Sequence, residues 1–588
     1  MRAWRTPWPV VVALLATAAV FAAVYGPALS LFFTADDFVL LQYSKDTSAV
    51  DIVRTRLLAL PGGGGASPYW RPGWLLLLDT VYEVFGLTPA AFRAVVFALH
   101  AVLAAGVYLV ARRWLVRSSG LAAGACALFA LSPAGAEALL WIAAGANVMP
   151  AALCLFVAAA AYATHVERPR PARLGLAWLG YLLAFTFREA AYHMPLVVLV
   201  AHLCLESGPL LRRGARGALR AMPFGVVVLV HHHWFNPYSL GHLSPAENLN
   251  LFMAHGAAWL RVLFDLPVGT TAIAVCVAAL LLALVVLPPR GRFCLLWACA
   301  ASFPFVARSH ETRFVYFVQA PLALALAALA DRSTAGRRLP MALATTVLLG
   351  LAGANAKRVP AEVSQARARS ATTRAVVDLI TDQRLATRAV LHVDFVPPEL
   401  LEGFADLIEL YGGARPGVVD YWVLPRPPFL LYMNPAFADL DPDQEMLHWD
   451  AASGRYALSS KRDLVGGRPL IPTFGFRYRA RVVRDWAEMQ FSPDVVHLRQ
   501  EPEPPLRLDA AGHNAIVTYA GGTLDRIELT VDAQRDAYLV VAFPADLTAL
   551  GGRATVDGAP VPLLVADGMF NALPVRAGSR QIVLTTER

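Results

Sequence analysis

Asp36 and Asp37 stand side by side just past the first apolar run of the chain. No folding argument requires two adjacent ionised groups at a membrane surface, so they are functional candidates. The chemistry that suits them is proton abstraction. One carboxylate takes the proton of an acceptor hydroxyl while the other orients that hydroxyl or binds a divalent cation. The stretch Thr34-Ala35-Asp36-Asp37 also has the spacing of a helix-capping box, in which acids favour the first turn. The two roles are compatible. His231-His232-His233 is a second concentration of ligand-type side chains. Consecutive residues on a helix diverge by about 100°, so these three read as packing at the end of a span rather than as one metal site.

The elements that must position the acids lie in a membrane. A chain of 588 residues with 57% hydrophobic residues, 16% charged residues and a mean hydropathy of +0.50 is outside the range of soluble domains. Apolar runs long enough to cross hydrocarbon fall near 9–29, 90–111, 119–134, 147–165, 173–188, 190–206, 219–235, 268–288, 292–307, 313–330 and 339–355. Two further stretches, 72–86 and 249–265, read as interfacial or re-entrant helices.

Charge sets the orientation. Residues 1–359 carry 28 Lys+Arg against 14 Asp+Glu, whereas residues 360–588 carry 23 against 29. With the N-terminus inside, the inner loops hold 17 arginines against three acids, Glu167, Glu206 and Asp331. That is the excess expected on the cytoplasmic side, and it removes nucleic acid as an explanation of the basic pI. Eleven spans then put the C-terminal part outside. Arginine outnumbers lysine 48 to 3, a bias typical of high-GC bacterial coding. Together these predict a multi-pass protein of a bacterial inner membrane with a periplasmic C-terminal domain. The six cysteines all lie in apolar runs without metal-ligand spacing, so neither disulfides nor a cysteine-bound zinc is expected.

Beyond the last run the character changes. Residues 361–385 read as a helix and Ala389–Phe395 as a strand. After residue 505, short segments punctuated by Gly, Pro and Asp predict a β-sandwich. The expected organisation is a transmembrane domain over 1–357, an extracytoplasmic α/β linker domain over 358–505 and a β-sandwich over 506–588.

Several motifs, in order, resemble those of the GT-C superfamily of membrane glycosyltransferases, particularly its protein O-mannosyltransferase (family 39-like) relatives. Besides the Asp pair, they are Tyr69-Trp70-Arg71-Pro72, then Phe85-Gly86-Leu87-Thr88-Pro89 with His100 on the next span. Ser132-Pro133-Ala134-Gly135-Ala136-Glu137-Ala138 is similar to H-P-x-H-x-E-A, and Arg188-Glu189 followed by Pro195 is similar to a K-E with its downstream proline. Ser132 and Gly135 replace histidines, Asn147 stands where the relatives often have Asp, and Arg188 where they usually have Lys. Arg308-Ser309-His310-Glu311-Thr312-Arg313-Phe314 resembles the E-R-Y-L-Y stretch opening a late span. The tail from Ala554 to Gly578 looks like the C-terminal β-sandwich of YfhO-like membrane proteins.

The resemblance implies a polytopic α-helical, GT-C-like fold of about 11 transmembrane helices. It further implies an inverting transfer of sugar from a polyprenyl phosphate donor to an acceptor hydroxyl on a glycan, lipid or protein. Asp36 or Asp37 would be the base, and Arg308 or Arg313 would hold the leaving phosphate, since a guanidinium donates two hydrogen bonds to anionic oxygens. Arg71, Glu137, Asn147, Arg188, Glu189 and His100 would line the donor and acceptor cavity. Each has a plainer reading: Glu137 as a solvated loop acid, Arg188-Glu189 as a structural ion pair, Arg313 as an interfacial anchor, His100 as a buried histidine satisfied by a neighbouring helix. A non-enzymatic lipid or glycolipid transporter and a degenerate GT-C scaffold are the rival functions. No cofactor is required beyond the cation already raised.

Overall fold

The computed structural model describes residues 8–57, 70–235, 259, 263, 270–306, 312–334 and 337–383, and beyond them shorter stretches between 390 and 585. Arg308 lies outside the described residues, as does nearly all of 249–265.

The chain divides into two compact units, Met1–Ala371 and Thr372–Arg588. In the first, helices α1 Trp8–Tyr25, α2 Asp37–Asp46, α3 Ala49–Ile52, α4 Pro72–Phe85, α5 Pro89–Val110, α6 Ser119–Ala130, α7 Ala136–Leu140 and α8 Ile142–Glu167 come before the bundle's midpoint. They are followed by α9 Pro171–Phe185, α10 Met194–Leu205, α11 Leu210–Phe235, α12 Thr270–Val286, α13 Pro289–Val306, α14 Tyr316–Ser333, α15 Arg338–Ala356 and α16 Val359–Gln383. Among the described residues five helices are long and apolar enough to cross a membrane, or six if α6 with the following bent segment Pro133–Leu140 counts as one span. The stretches Pro171–Phe185 and Glu189–Leu205 are shorter apolar helices. Residues 72–86 form α4, which packs against α2 on the side of the bundle that carries the Asp pair.

The share of each span buried separates centre from rim. The most apolar window of α8 is 83% buried and that of the span ending in Ser333 72%, whereas the first span is only 17% buried. So α8 and α14 form the middle and α1 faces lipid, its Trp8 and Leu15 exposed. Two glycines let backbones meet where the polar residues gather. A Cβ on Gly145 would stand 2.5 Å from the Ala138 carbonyl, so glycine lets α8 fold back tightly on α7. A Cβ on Gly73 would stand 2.4 Å from Thr186 Oγ1. Its absence allows the first amides of α4, Gly73 and Trp74, to donate to the Thr186 carbonyl at the end of α9, at 2.8 and 3.2 Å.

The three acids counted on the arginine-rich side are each tied to a cation on another element. Glu167 accepts from Arg290 Nε and Nη2 at 2.6 and 2.9 Å and from Trp114 Nε1 at 2.9 Å. Asp331 accepts from Arg117 N and Nε, both at 3.1 Å. Glu206 pairs with Arg216 and accepts from His202 Nδ1 at 2.8 Å, which leaves Nε2 to accept from Tyr162. These clasps join helix ends far from the Asp pair in sequence. Glu167→Gln is expected to lower stability by about 1–2 kcal/mol, kept modest by the solvent exposure of Arg290, without changing activity per folded molecule. Thermal unfolding in detergent beside an activity assay checks both parts.

In the second unit β1 Val390–Val393 runs parallel to β2 Gly417–Asp420, with helix α17 Phe404–Gly412 between them in sequence. Strand β3 Glu445–Asp450 lies on the other side of β1, with β4 Arg455–Ser460 antiparallel to it, giving the order β2-β1-β3-β4. Further along, a five-stranded sheet built on Arg526–Ala533 and Gly578–Thr585 and a three-stranded sheet containing Phe570–Val575 share one core. Leu529, Val531, Ile582 and Leu584 from the first meet Leu573 and Val575 from the second.

Candidate active site

The Asp pair sits in a short loop held from several directions. Phe33 packs edge-on against Phe38 and Phe92, and all three are buried. Ala35 has φ of 52°, a left-handed conformation that costs a residue with a Cβ about 1 kcal/mol or more and persists only where its surroundings impose it. Arg93, 1% exposed, holds the chain just before it. Its guanidinium donates to the carbonyls of Leu31 (3.3 Å), Phe32 (2.8 Å) and Leu140. The Phe32 amide donates to Ser370 Oγ on α16 at 2.5 Å.

The two aspartates have different surroundings. Asp37 is 2% exposed, and both of its oxygens accept backbone amides: Oδ2 from Thr34 at 2.9 Å and Oδ1 from Ala143, in the first turn of α8, at 2.7 Å. The bond to Thr34 runs in the sense of the capping box expected from the spacing, but the residue capping α2 is Asp36, not Thr34. The bond to Ala143 places a carboxylate at the positive end of the central helix. Asp36, by contrast, is half-buried and caps α2 without a side-chain capping bond.

Burial pushes the Asp37 carboxyl up from 3.8 to about 6, against the pull of the Thr34 amide, the Arg93 charge and the Ala143 amide. The folded protein therefore holds a proton on Asp37 between about pH 4 and 6 that the unfolded chain has released. This group's contribution is full below pH 4 and is lost as pH rises through 6. The melting temperature of wild type minus that of Asp37→Asn is expected to fall over that interval and level off above it. A difference flat from pH 4 to 7 would contradict the assignment.

From Ala143 the polar chain continues one turn along α8. Asn147 Nδ2 donates to the Ala143 carbonyl at 3.0 Å, and its Oδ1 accepts from Arg188. The Arg188 guanidinium lies over the Phe314 ring, 4.5 Å from its centre. Arg313 lies over the Trp141 ring at 4.7 Å and near Phe314 at 5.5 Å. Its amide donates to Glu137 Oε2 at 2.8 Å, while Nη1 stands 3.5 Å from Oε1. Glu189 receives Arg71 in a two-pronged pair, Nε to Oε1 at 2.9 Å and Nη2 to Oε2 at 2.7 Å. Both side chains are nearly buried, at 12% and 13% exposure. The docking of α4 on Thr186 brings Arg71 there.

Asp37, Glu137, Asn147, Arg188, Glu189, Arg71 and Arg313 thus belong to one connected region of the bundle. His100 stands apart from it. Its Nε2 donates to the Ala130 carbonyl at 3.2 Å and its Nδ1 accepts the Tyr316 hydroxyl at 2.7 Å, so neighbouring helices satisfy both ring nitrogens. His231 meets the Tyr192 hydroxyl at 3.0 Å and packs on Phe185. Among the described residues no group of three or more His, Cys, Asp or Glu side chains is placed to hold a metal ion. Sequence reading missed Arg93, Trp141, Phe314 and Ser370. Of these only Arg93, a lone charge in the first turn of an apolar span, carried a local signal.

The apolar helices define a polytopic helical membrane protein. No protein-family model matches the chain, and no curated protein does. Among solved structures it is similar to ArnT from Cupriavidus metallidurans bound to undecaprenyl phosphate, at 13% identity over 96% of this chain and 97% of that one, TM-score 0.41. ArnT in the apo state is similar at 17% identity over 95% and 97%, TM-score 0.35. The arabinofuranosyltransferase AftD from Mycobacteria is similar at 13% identity over 100% of this chain and 57% of that chain, TM-score 0.35.

Proposed function

We propose that the chain is an inverting glycosyltransferase of GT-C type. In this reading it moves a sugar from a polyprenyl phosphate donor to an acceptor hydroxyl at the periplasmic face of a bacterial inner membrane. Eleven spans, a cytoplasmic N-terminus, and periplasmic domains over 358–505 and 506–588 belong to the same reading. The observation that carries it is the connected set of carboxylates and arginines from six separate stretches around the Asp36–Asp37 loop. A purely structural role accounts poorly for so many nearly buried charges, because desolvation offsets much of the attraction in each pair.

The roles divide by environment. Asp36, half-buried and beside the fixed Asp37, takes the acceptor proton as the hydroxyl oxygen attacks the anomeric carbon. The bond from that carbon to the phosphate oxygen breaks with inversion, and the electron pair leaves on polyprenyl phosphate. Arg188 and Arg313, steadied over Phe314 and Trp141, meet the departing charge. Asp37 keeps the loop in register, and the Arg71–Glu189 pair lines the donor and acceptor cavity while fixing α4 against the bundle.

Mass spectrometry of glycolipids and envelope proteins from cells with and without the gene tests the proposal. A hexose or pentose missing from one species in the deleted strain, and restored by the intact gene only, is the expected result. Unchanged glycans together with a lipid retained on one leaflet would favour a transporter, and unchanged glycans and lipids a scaffold.

A further inference from the structure

α15 and α16 bury one continuous stripe at alternating three- and four-residue steps: Leu348, Ala352, Ala356, Val359, Val363, Ala366, Ser370, Thr373, Val377 and Ile380. Along α15 the opposite side is apolar, with Leu339, Leu343, Val347 and Leu351 exposed. Along α16 it is polar, with Glu362, Gln365, Arg367 and Arg369 exposed. Val359, Val363 and Ala366 share the core of the first unit. Ser370 is the first polar residue in the stripe, 7% exposed, and its hydroxyl faces the Phe32 amide across 338 residues of sequence. After Ala371 the same helix continues into the second unit.

Within the glycosyltransferase reading above, we propose that Ser370 is a positioning residue for transfer. By accepting the Phe32 amide it fixes the loop that presents Asp36, and it does so from the helix that leads into the second unit. The Phe32 carbonyl is already taken by Arg93, and Ala35 holds a strained backbone that relaxes once its restraints go. A buried amide left without an acceptor shifts toward water and carries Asp36 with it, away from the near-attack distance that transfer needs.

The test uses the full-length protein in detergent or nanodiscs and two readouts. In hydrogen exchange of the segment around residues 31–38, Ser370→Ala should exchange at least about tenfold faster than wild type, Ser370→Thr should match wild type, and Ser370→Cys, a weak acceptor of similar size, should fall between them. In transfer assays Ser370→Ala should lower kcat about 10- to 100-fold with donor KM within about twofold, and Thr should restore it. If the Ala variant does not fold, the Cys and Thr pair decides by the same criteria. Equal protection of the loop in wild type and in Ala or Cys overturns the proposal, as does a loss in KM alone. If wild type itself transfers no sugar, the glycosyltransferase reading fails while loop protection still decides whether Ser370 holds the loop.

Discussion

Asp36→Asn is expected to fold, insert and bind donor like wild type while its turnover drops by about 10²–10⁴-fold, the usual worth of a positioned base. The asymmetry between the two aspartates drives this expectation. Asp36 makes no side-chain capping bond to α2, and an amide in its place keeps the volume while removing the basic oxygen. Asp37→Asn should behave differently. Its carboxylate accepts two amides on two oxygens, and an asparagine must turn its NH2 toward one of them, at a cost of about 1–3 kcal/mol. Lowered thermal stability should therefore accompany any loss of activity in Asp37→Asn and be smaller in Asp36→Asn. Parallel melting curves, donor-binding isotherms and single-turnover transfer on the two variants make the comparison. Full turnover in Asp36→Asn would remove this residue as the base.

The Arg71–Glu189 pair offers the second large effect. Arg71→Met leaves the nearly buried Glu189 carboxylate without its two-pronged partner, and breaking such a pair from one side costs about 3–5 kcal/mol. The double variant Arg71→Met/Glu189→Leu replaces both charges with apolar groups of similar length and should recover most of that stability. If the pair only fastens α4 to the bundle, the double variant should also recover transfer. If the charges take part in substrate binding, stability returns and transfer does not. The proposal of a shared charged cavity expects the second outcome, read as a thermal shift beside initial rates.

How much of this was legible beforehand depends on whether a signal is local. Apolar runs announce helices directly, and each of the expected runs that is described is helical. The Asp pair stood out because adjacent acids after a span are rare, and Glu137, Asn147, Arg188 and Glu189 through motifs in sequence order. Their pairing was not legible. Nothing near Asn147 says that Arg188 donates to it, or near Arg71 that it folds onto a carboxylate 118 residues away. Arg93 was overlooked because an arginine in the first turn of a span ordinarily reaches for lipid headgroups, whereas this one spends its donors on three carbonyls. Ser370 offered even less, being one small hydroxyl on a polar helix. His100, prominent as part of a motif, has both ring nitrogens occupied by neighbouring helices.

The clasps on the arginine-rich side bear on how the molecule is made. Arg117 waits for Asp331, which is 214 residues downstream, and Glu167 for Arg290, 123 residues downstream. In the topology proposed above, Arg117 is therefore unneutralised while the translocon decides which way its hairpin enters, and the bias that keeps it inside acts on it at full strength. Neutralisation arrives only when the late helices dock. A chain truncated before residue 290 should thus insert yet remain unclasped, and be degraded faster than one that carries both Arg290 and Asp331.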